Sequence, residues 1–506
     1  MNITVRLYAT LRDLTPERKR AVELDVPEGT TVGEIIAQLR IPAETVRKVF
    51  VGGIAREESH VLQPGDEVAV FPPIAGGAPV QEFLDIRSVD EARARFLTAW
   101  SPAPPRTTVV ALSQACGRVV GKDIVAPEDL PPYPRSVVDG YAVRAADTFG
   151  ASEGLPAYLA VTGEVPMGRA PGFSLGPGEA ARIPTGGVLP RGADAVVMVE
   201  HTEALAGPVL PGSPEGPALP AAAGLEVRRP VGPGENVIQP GEDVQCGAVV
   251  LRAGITLRPP HIGLLAGLGV TRLDVAVPPR VAVISTGDEV VPPEQTPEAG
   301  CIRDINGPAL CAAVRAEGGG PVFLGIVADE FEPLLDKLRA AQPGSDLILV
   351  SGGSSIGLRD EVSRAIQALG PPGVLVHGVA MKPGKPTVLG LCAGTPVIGL
   401  PGHPTTVLVV FHVFVRDIMS RLLGRTSEVP STARARLARR VASAPGRTDY
   451  LRVRLESREG TLWAVPILGK SGLISTMVCA DGLAVIPEAV EGMEAGQEVA
   501  VEVFVR

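Results

Sequence analysis

The chain has 506 residues and a formal net charge of −9, with 59 glycines and 50 prolines lying at expected strand ends rather than in repeats. The acidic balance argues against a nucleic-acid partner, and no apolar run reaches the ~18 residues a membrane span needs. The length suits roughly three to four domains. The six cysteines include no C-x-x-C pair, which fits reduced thiols without a zinc site. The start of the chain shows no basic and apolar signal segment, so a cytoplasmic protein is expected.

Residues 2–9 alternate in strand fashion, and 20–26 (RAVELDV) read as a second strand. Residues 31–39 form an amphipathic helix with Val32, Ile35, Ile36 and Leu39 on one face. Short strands at 49–51 and 67–71 complete a ββαββ order, which predicts a ubiquitin-like β-grasp over residues 1–77. The ending FPPIAGG (71–77) resembles the C-terminus of the MoaD/ThiS sulfur-carrier family. That resemblance implies adenylation of the terminal glycine and its conversion to a thiocarboxylate, with Gly76 and Gly77 as the tail. Such chemistry needs a free carboxylate on an unbranched chain, yet Gly77 is followed by Ala78-Pro79. Two readings stay open. Either cleavage after Gly77 frees a carrier, which the intact tail favours, or the domain is a tethered docking module.

Residues 102–105 mark a loop, and the Ala-, Pro- and Gly-rich stretch 204–224 reads as a disordered hairpin tip. Between them stand SVVDGYAV (136–143), IPTGG (183–187) and GADAVV (192–197), and GED (241–243) follows. Taken singly, Asp139 before Gly140 and Asp243 after Pro240-Gly241 are turn compositions.

From 281 to 408 one pattern occurs four times: an apolar run ends in a glycine-rich polar turn. The four are VAVISTGDE (281–289), DLILVSGGSSIG (346–357), VAMKPGKP (379–386) and PVIGLPGHPTT (396–406). Such runs read as buried parallel strands; with a helix over 332–341 they predict a doubly wound sheet with all four turns on its carboxyl rim. Ser351, Gly352, Gly353 and Ser355 belong to a turn whose N–H groups form an anion cradle ahead of a helix N-terminus. Lys382 and Lys385 bracket Pro383-Gly384, while Pro404 opens a helix over 405–416. Opposite these donors stand Asp288, Glu289 and Asp360, a combination that suits phosphate with Mg²⁺. Asp288 and Glu289 also read as caps, and Asp329 is equally placed to cap the helix near Phe331.

In this order the motifs of residues 80–506 resemble the MoeA/gephyrin E-domain family, molybdopterin molybdotransferases. Gly446-Arg447, Leu451-Arg452 and Gly469-Lys470-Ser471-Gly472 extend the likeness toward the C-terminus. The resemblance implies insertion of molybdate into adenylylated molybdopterin with release of AMP, assisted by Mg²⁺. It implies catalytic roles for Glu289, Asp360, Asp329, Asp139 and Asp243, and metal binding by Asp288, Glu289 and Asp360. Substrate contacts would fall to Thr185, Ser351, Gly352, Gly353, Ser355, Lys382, Lys385, Pro401, His403 and Pro404. Asp139, Thr185 and Asp243 would reach the cleft from a neighbouring subunit, making a homodimer. Pterin adenylyltransferase and molybdopterin synthase-type proteins are the implied partners. Leu358 stands where the family often has an acid, His403 where it often has Asn, and Val138 where it has Met. These departures leave the metal set, and molybdate against tungstate, open.

The implied architecture is multidomain α/β plus β. A β-grasp (1–77) precedes an elongated, helical dimerisation region (80–105 with 228–278) carrying an inserted β domain (106–227). A doubly wound, MogA-like α/β domain (279–424) and a small β-barrel (425–506) follow. Two rival functions are a pterin adenylyltransferase, which the Asp139, Thr185 and Asp243 elements disfavour, and a non-catalytic scaffold.

Overall fold

The computed structural model describes residues 1–7, 21–27, 29–39, 41, 48–51, 54–71, 86–208, 223–352, 360–426 and 432–504. The chain forms two compact units, Met1–Phe83 and Leu84–Arg506. In the first, Asn2–Leu7 lies between Ala21–Asp25, antiparallel, and Glu67–Phe71, parallel. Lys48–Val51 and Ile54–Arg56 extend the sheet to five strands. Helix Val32–Gln38 begins at a capping box of Thr31 and Glu34. It buries Val32, Ile35 and Ile36 against Ile3, Val5 and Val68. This is the expected β-grasp. The three-residue strand Ile54–Arg56 is an addition to the expected order, being too short to show alternation. Gly76 and Gly77 lie outside the described residues.

The second unit centres on a six-stranded sheet of β1 (Arg280–Thr286), β2 (Gly320–Val327), β3 (Leu347–Ser351), β4 (Pro372–His377), β5 (Val388–Cys392) and β6 (Thr395–Leu400), in the order β2-β1-β3-β6-β5-β4. The first four in that order are parallel. β5 runs antiparallel to β6, and β4 antiparallel to β5, so β4 regains the common direction. Helices α2 (Phe331–Ala341) and α3 (Glu361–Leu369) cover one face through Leu334, Leu338 and Ile366. Helices α1 (Asn306–Ala316) and α4 (Pro404–Val410) cover the other. Helicity continues past α4 through a π segment, Phe411–Val415, to Leu422, beyond the expected end at 416.

Two expectations for this domain change. The run 379–386 is not a buried sheet strand: Met381–Lys382 pairs in parallel with a strand of the C-terminal barrel. Its Gly384, at φ +123, leaves no room for a side chain, since a Cβ would stand 2.9 Å from both Met381 Sδ and Val410 Cγ2. The flanking runs β4 and β5 enter the sheet instead. The expected β1-α2-β3 unit also contains α1 and β2, the eight-residue run that ends just before Asp329.

Helix Val89–Ala99, expected in the dimerisation region, places Val89, Ala92 and Phe96 in the core of the α/β domain with Val376 and Leu389. Thr107–Ala111 pairs with Arg272–Ala276, and Ile124–Val125 with Val249–Leu251. The pairing therefore carries the start of the expected inserted domain into the same subassembly as 249–276. A separate six-stranded sheet contains Gly140–Val143, Ala157–Glu164, Glu179–Ile183 and Ala195–Met198. Thr202–Pro208 and Ala223–Val227 pair at its edge, and the rest of the expected hairpin tip lies outside the described residues.

The C-terminal strands β7 (Thr432–Leu437), β8 (Thr448–Arg458), β9 (Thr461–Pro466), β10 (Gly482–Ile486) and β11 (Glu498–Val503) close a barrel in the ring β8-β9-β7-β11-β10-β8. Closure leaves no free edge among those five. No helix is long and apolar enough to cross a membrane among the described residues.

Phe96 is 2% exposed. Phe96→Ala should therefore destabilise the α/β core by about 3–5 kcal/mol, read as an earlier urea midpoint for this domain. An unchanged midpoint would exclude the helix from that core.

Candidate active site at the strand-end rim

Because β4 shares the direction of the parallel strands, Thr286, Val327, Ser351, His377 and Leu400 are the last residues of five strands on one rim. In open α/β sheets this end is where ligands bind. The described parts of the polar turns anticipated after β1, β4 and β6 lie beyond it.

Acidic groups gather beyond β1 and β2. Asp288 and Glu289 are exposed, and Asp288 Oδ1 accepts the Asp329 amide at 3.1 Å. The Asp329 carboxyl is pushed above its ordinary range by burial first, then by the charges of Asp288, Glu289, Glu361 and Asp360. Its Oδ1 is buried with no hydrogen-bond partner. Asp329 does not cap α2, whose first residue follows Glu330 with no side-chain cap bond.

Asp360 caps α3, accepting the Ser363 amide at Oδ1 over 3.1 Å. Its Oδ2 lies 2.6 Å from His377 Nε2. Both oxygens are thus engaged, and the expected metal set of Asp288, Glu289 and Asp360 is no ready-made cage. Among the described residues no group of three or more His, Cys, Asp or Glu is arranged to hold a metal ion. In sequence His377 is a lone histidine ending an apolar run, which carries no signal.

The floor is built by close backbone approach. Gly352 has φ +118, and a Cβ there would collide with the Thr286 carbonyl and stand 2.6 Å from Thr286 Oγ1. Only glycine suits the position. Ser351 Oγ and Thr286 Oγ1 are both buried without partners. Gly353, Ser355 and Leu358, the rest of the expected cradle, lie outside the described residues.

The basic side comes from the β4–β5 connection. Lys382 is exposed and 3.8 Å from Asp449 of β8, which also holds Arg447 at 2.9 Å. Lys385 lends its carbonyl to the Val379 amide. Pro401 is buried, and His403 and Pro404 open α4. The barrel touches this point directly, because Thr405 Oγ1 donates to the Ser471 carbonyl at 2.7 Å.

Asp139, Thr185 and Asp243 stand elsewhere. The Thr185 amide donates to Asp139 Oδ1 at 2.9 Å, and Gly140 admits the Val197 carbonyl where a Cβ would clash. All three residues are exposed. No hydrogen bond or ion pair among the described residues joins them to the rim.

Four family models match in chain order: the ThiS family over residues 5–77, the MoeA N-terminal region (domain I and II) over 87–269, a probable molybdopterin binding domain over 282–421, and the MoeA C-terminal region (domain IV) over 434–504. Molybdopterin molybdenumtransferase 2 of Mycobacterium tuberculosis is 36% identical over 405 residues, covering 78% of this chain and 95% of that protein. The Bacillus subtilis molybdopterin molybdenumtransferase is 32% identical over 396 residues, covering 78% and 89%. A solved molybdopterin biosynthesis MoeA protein of Pyrococcus horikoshii superposes with a TM-score of 0.69 at 30% identity, covering 83% of this chain and 100% of that one.

The raised Asp329 carboxyl has a measurable sign. The fold disfavours its ionised form, so the stability it contributes is full at low pH and is lost as pH rises through its raised folded value. Asp329→Asn should melt at a higher temperature than the parent near neutral pH. The gap should close as pH falls toward about 4. Calorimetry showing equal melting at neutral pH would remove the electrostatic strain.

Proposed function

This chain belongs to the molybdopterin molybdenumtransferase (MoeA) family, and from that membership we propose that it inserts molybdate into adenylylated molybdopterin and releases AMP. The observation that carries the reading is the opposition of carboxylates beyond β1 and β2 to lysines beyond β4, on one rim. Water attacks the anhydride phosphorus, the bond to the bridging oxygen breaks, and AMP leaves. Asp360, oriented by His377 and the α3 amide, receives the proton of that water. Lys382 and Lys385 hold the oxyanions, and Arg447 reaches the same region from the barrel beside Asp449.

The donor chemistry fits Mg²⁺ at Asp329, whose unpartnered oxygen and crowded negative charge a cation would relieve. Among the described residues no three side chains there form a cage, so substrate phosphates and water would supply the other ligands. When bound there it would neutralise charge on the phosphoanhydride.

Asp139, Thr185 and Asp243 serve the rim of a second copy, giving a homodimer with composite sites. Their exposure and their separation from the rim of their own chain support this. Through its N-terminal ThiS-family domain the chain also supplies a sulfur carrier to a molybdopterin synthase-type partner, once cut after Gly77. The pterin adenylyltransferase that makes the substrate is the other partner.

Lys385→Ala should lower AMP release from adenylylated molybdopterin in the presence of molybdate roughly a hundredfold, followed by chromatography. An unaffected rate would remove the catalytic reading. Mixing Lys385→Ala with Asp139→Ala protein should restore part of the activity, because one rim in a mixed dimer is intact. No recovery after subunit exchange would argue against composite sites. Intact mass of protein recovered from its own cells should show fragments ending at Gly77 and beginning at Ala78. A single species of 52.4 kDa would leave the domain as a tether.

A further inference from the structure

Besides Asp329 Oδ1, three buried polar atoms on the rim lack any hydrogen-bond partner: Thr286 Oγ1, Ser351 Oγ and Asn306 Oδ1. Thr286 is 4% exposed and Ser351 1%. Leaving a buried polar group unpaired is costly, so three at one place call for a common explanation. They are neighbours. Thr286 and Ser351 end the adjacent strands β1 and β3, which lie ~5 Å apart. Asn306 Nδ2 donates to the Gly402 carbonyl at 2.8 Å, and a Cβ on Gly402 would lie 3.7 Å from Gly352 Cα.

The orientation of Asn306 is fixed by that bond. Turning the amide over would set its oxygen against the Gly402 carbonyl, so Oδ1 is the free atom and is an acceptor. The residue itself is held from below. Asp304, 6% exposed, accepts the Ser285 hydroxyl at 2.8 Å and the Gly307 amide at 2.9 Å. This pins the first turn of α1 to β1.

We propose that Asn306, with Thr286 and Ser351, forms a subsite that reads N–H donors on the edge of the substrate's fused pyrimidine ring. The subsite rests on the molybdopterin reading above and assigns the residues that recognise the ring rather than the phosphates. A carbonyl-type acceptor rejects anions, and the lysines that take oxyanions belong to the β4–β5 connection, across β6. The hydroxyls of Thr286 and Ser351 adapt to either polarity, so Asn306 sets the preference for a donor.

The test uses pterin and lumazine, fluorescent rings that differ by an amino group in place of an oxo oxygen, with AMP as the anion probe. The full chain should bind pterin more tightly than lumazine. Asn306→Ala should reduce that preference roughly tenfold while AMP binding stays unchanged. Thr286→Val, nearly isosteric, should weaken both rings and guards against misfolding of the Asn306 variant. Lys385→Ala should do the reverse, weakening AMP and sparing the ring preference. Binding of AMP without pterin by the parent chain, or an undiminished preference in Asn306→Ala, overturns the subsite. Failure of the parent to bind either probe sinks the molybdopterin reading itself.

Discussion

Along β1, Val281 and Val283 pack into one hydrophobic layer while Ala282 and Ile284 pack into the other. Side chains of a strand alternate between faces, and both faces of this sheet are covered by helices. A polar side chain within the strands would therefore be buried without solvent on either side. The chain meets this constraint by placing its chemistry where strands stop. Ser285 is the one polar residue of β1 inside the layers, and it donates to Asp304. The next residue, Thr286, already belongs to the rim. The make-up of the site follows from that exclusion: charges, lysines and close-approaching glycines crowd one edge because the rest of the sheet will not accept them.

The same exclusion explains what could be read from the sequence. Apolar runs that break at Gly287, Gly352 and Pro401 mark β1, β3 and β6 because each break is abrupt. The run ending in Lys382 has the same apolar pattern without being a strand of this sheet: Val379 and Met381 pack in the core with Val410, and Met381–Lys382 pairs with the barrel. Strand β2 was hidden by its composition: Gly320, Pro321 and Gly325 interrupt its apolar run. Helix Val89–Ala99 has a weak apolar face, and nothing local says that Phe96 packs against strands nearly three hundred residues later.

Site residues divide in a similar way. Asp329, Asp360 and the lysines were legible through motif resemblance, and the rim collects them. Their partners were not. His377 against Asp360, Asn306 against Gly402 and Asp449 against Lys382 are long-range pairings. Each depends on which strand ends adjoin, and strand order is a property of the tertiary fold. Thr286 looks in sequence like an ordinary strand-terminal hydroxyl and Ser351 like part of an anion cradle; only burial without a partner marks their side chains.

Met381–Lys382 pairs with Thr448–Asp449 of the barrel, and Thr405 bonds to Ser471. The lysine turn is consequently stitched into two domains at once. A fragment ending after Leu422 would keep every strand of the central sheet yet leave Lys382 without the backbone ladder and the Asp449 carboxylate that position it. The barrel thus acts as the second jaw of a clamp, and the α/β domain alone is half a tool.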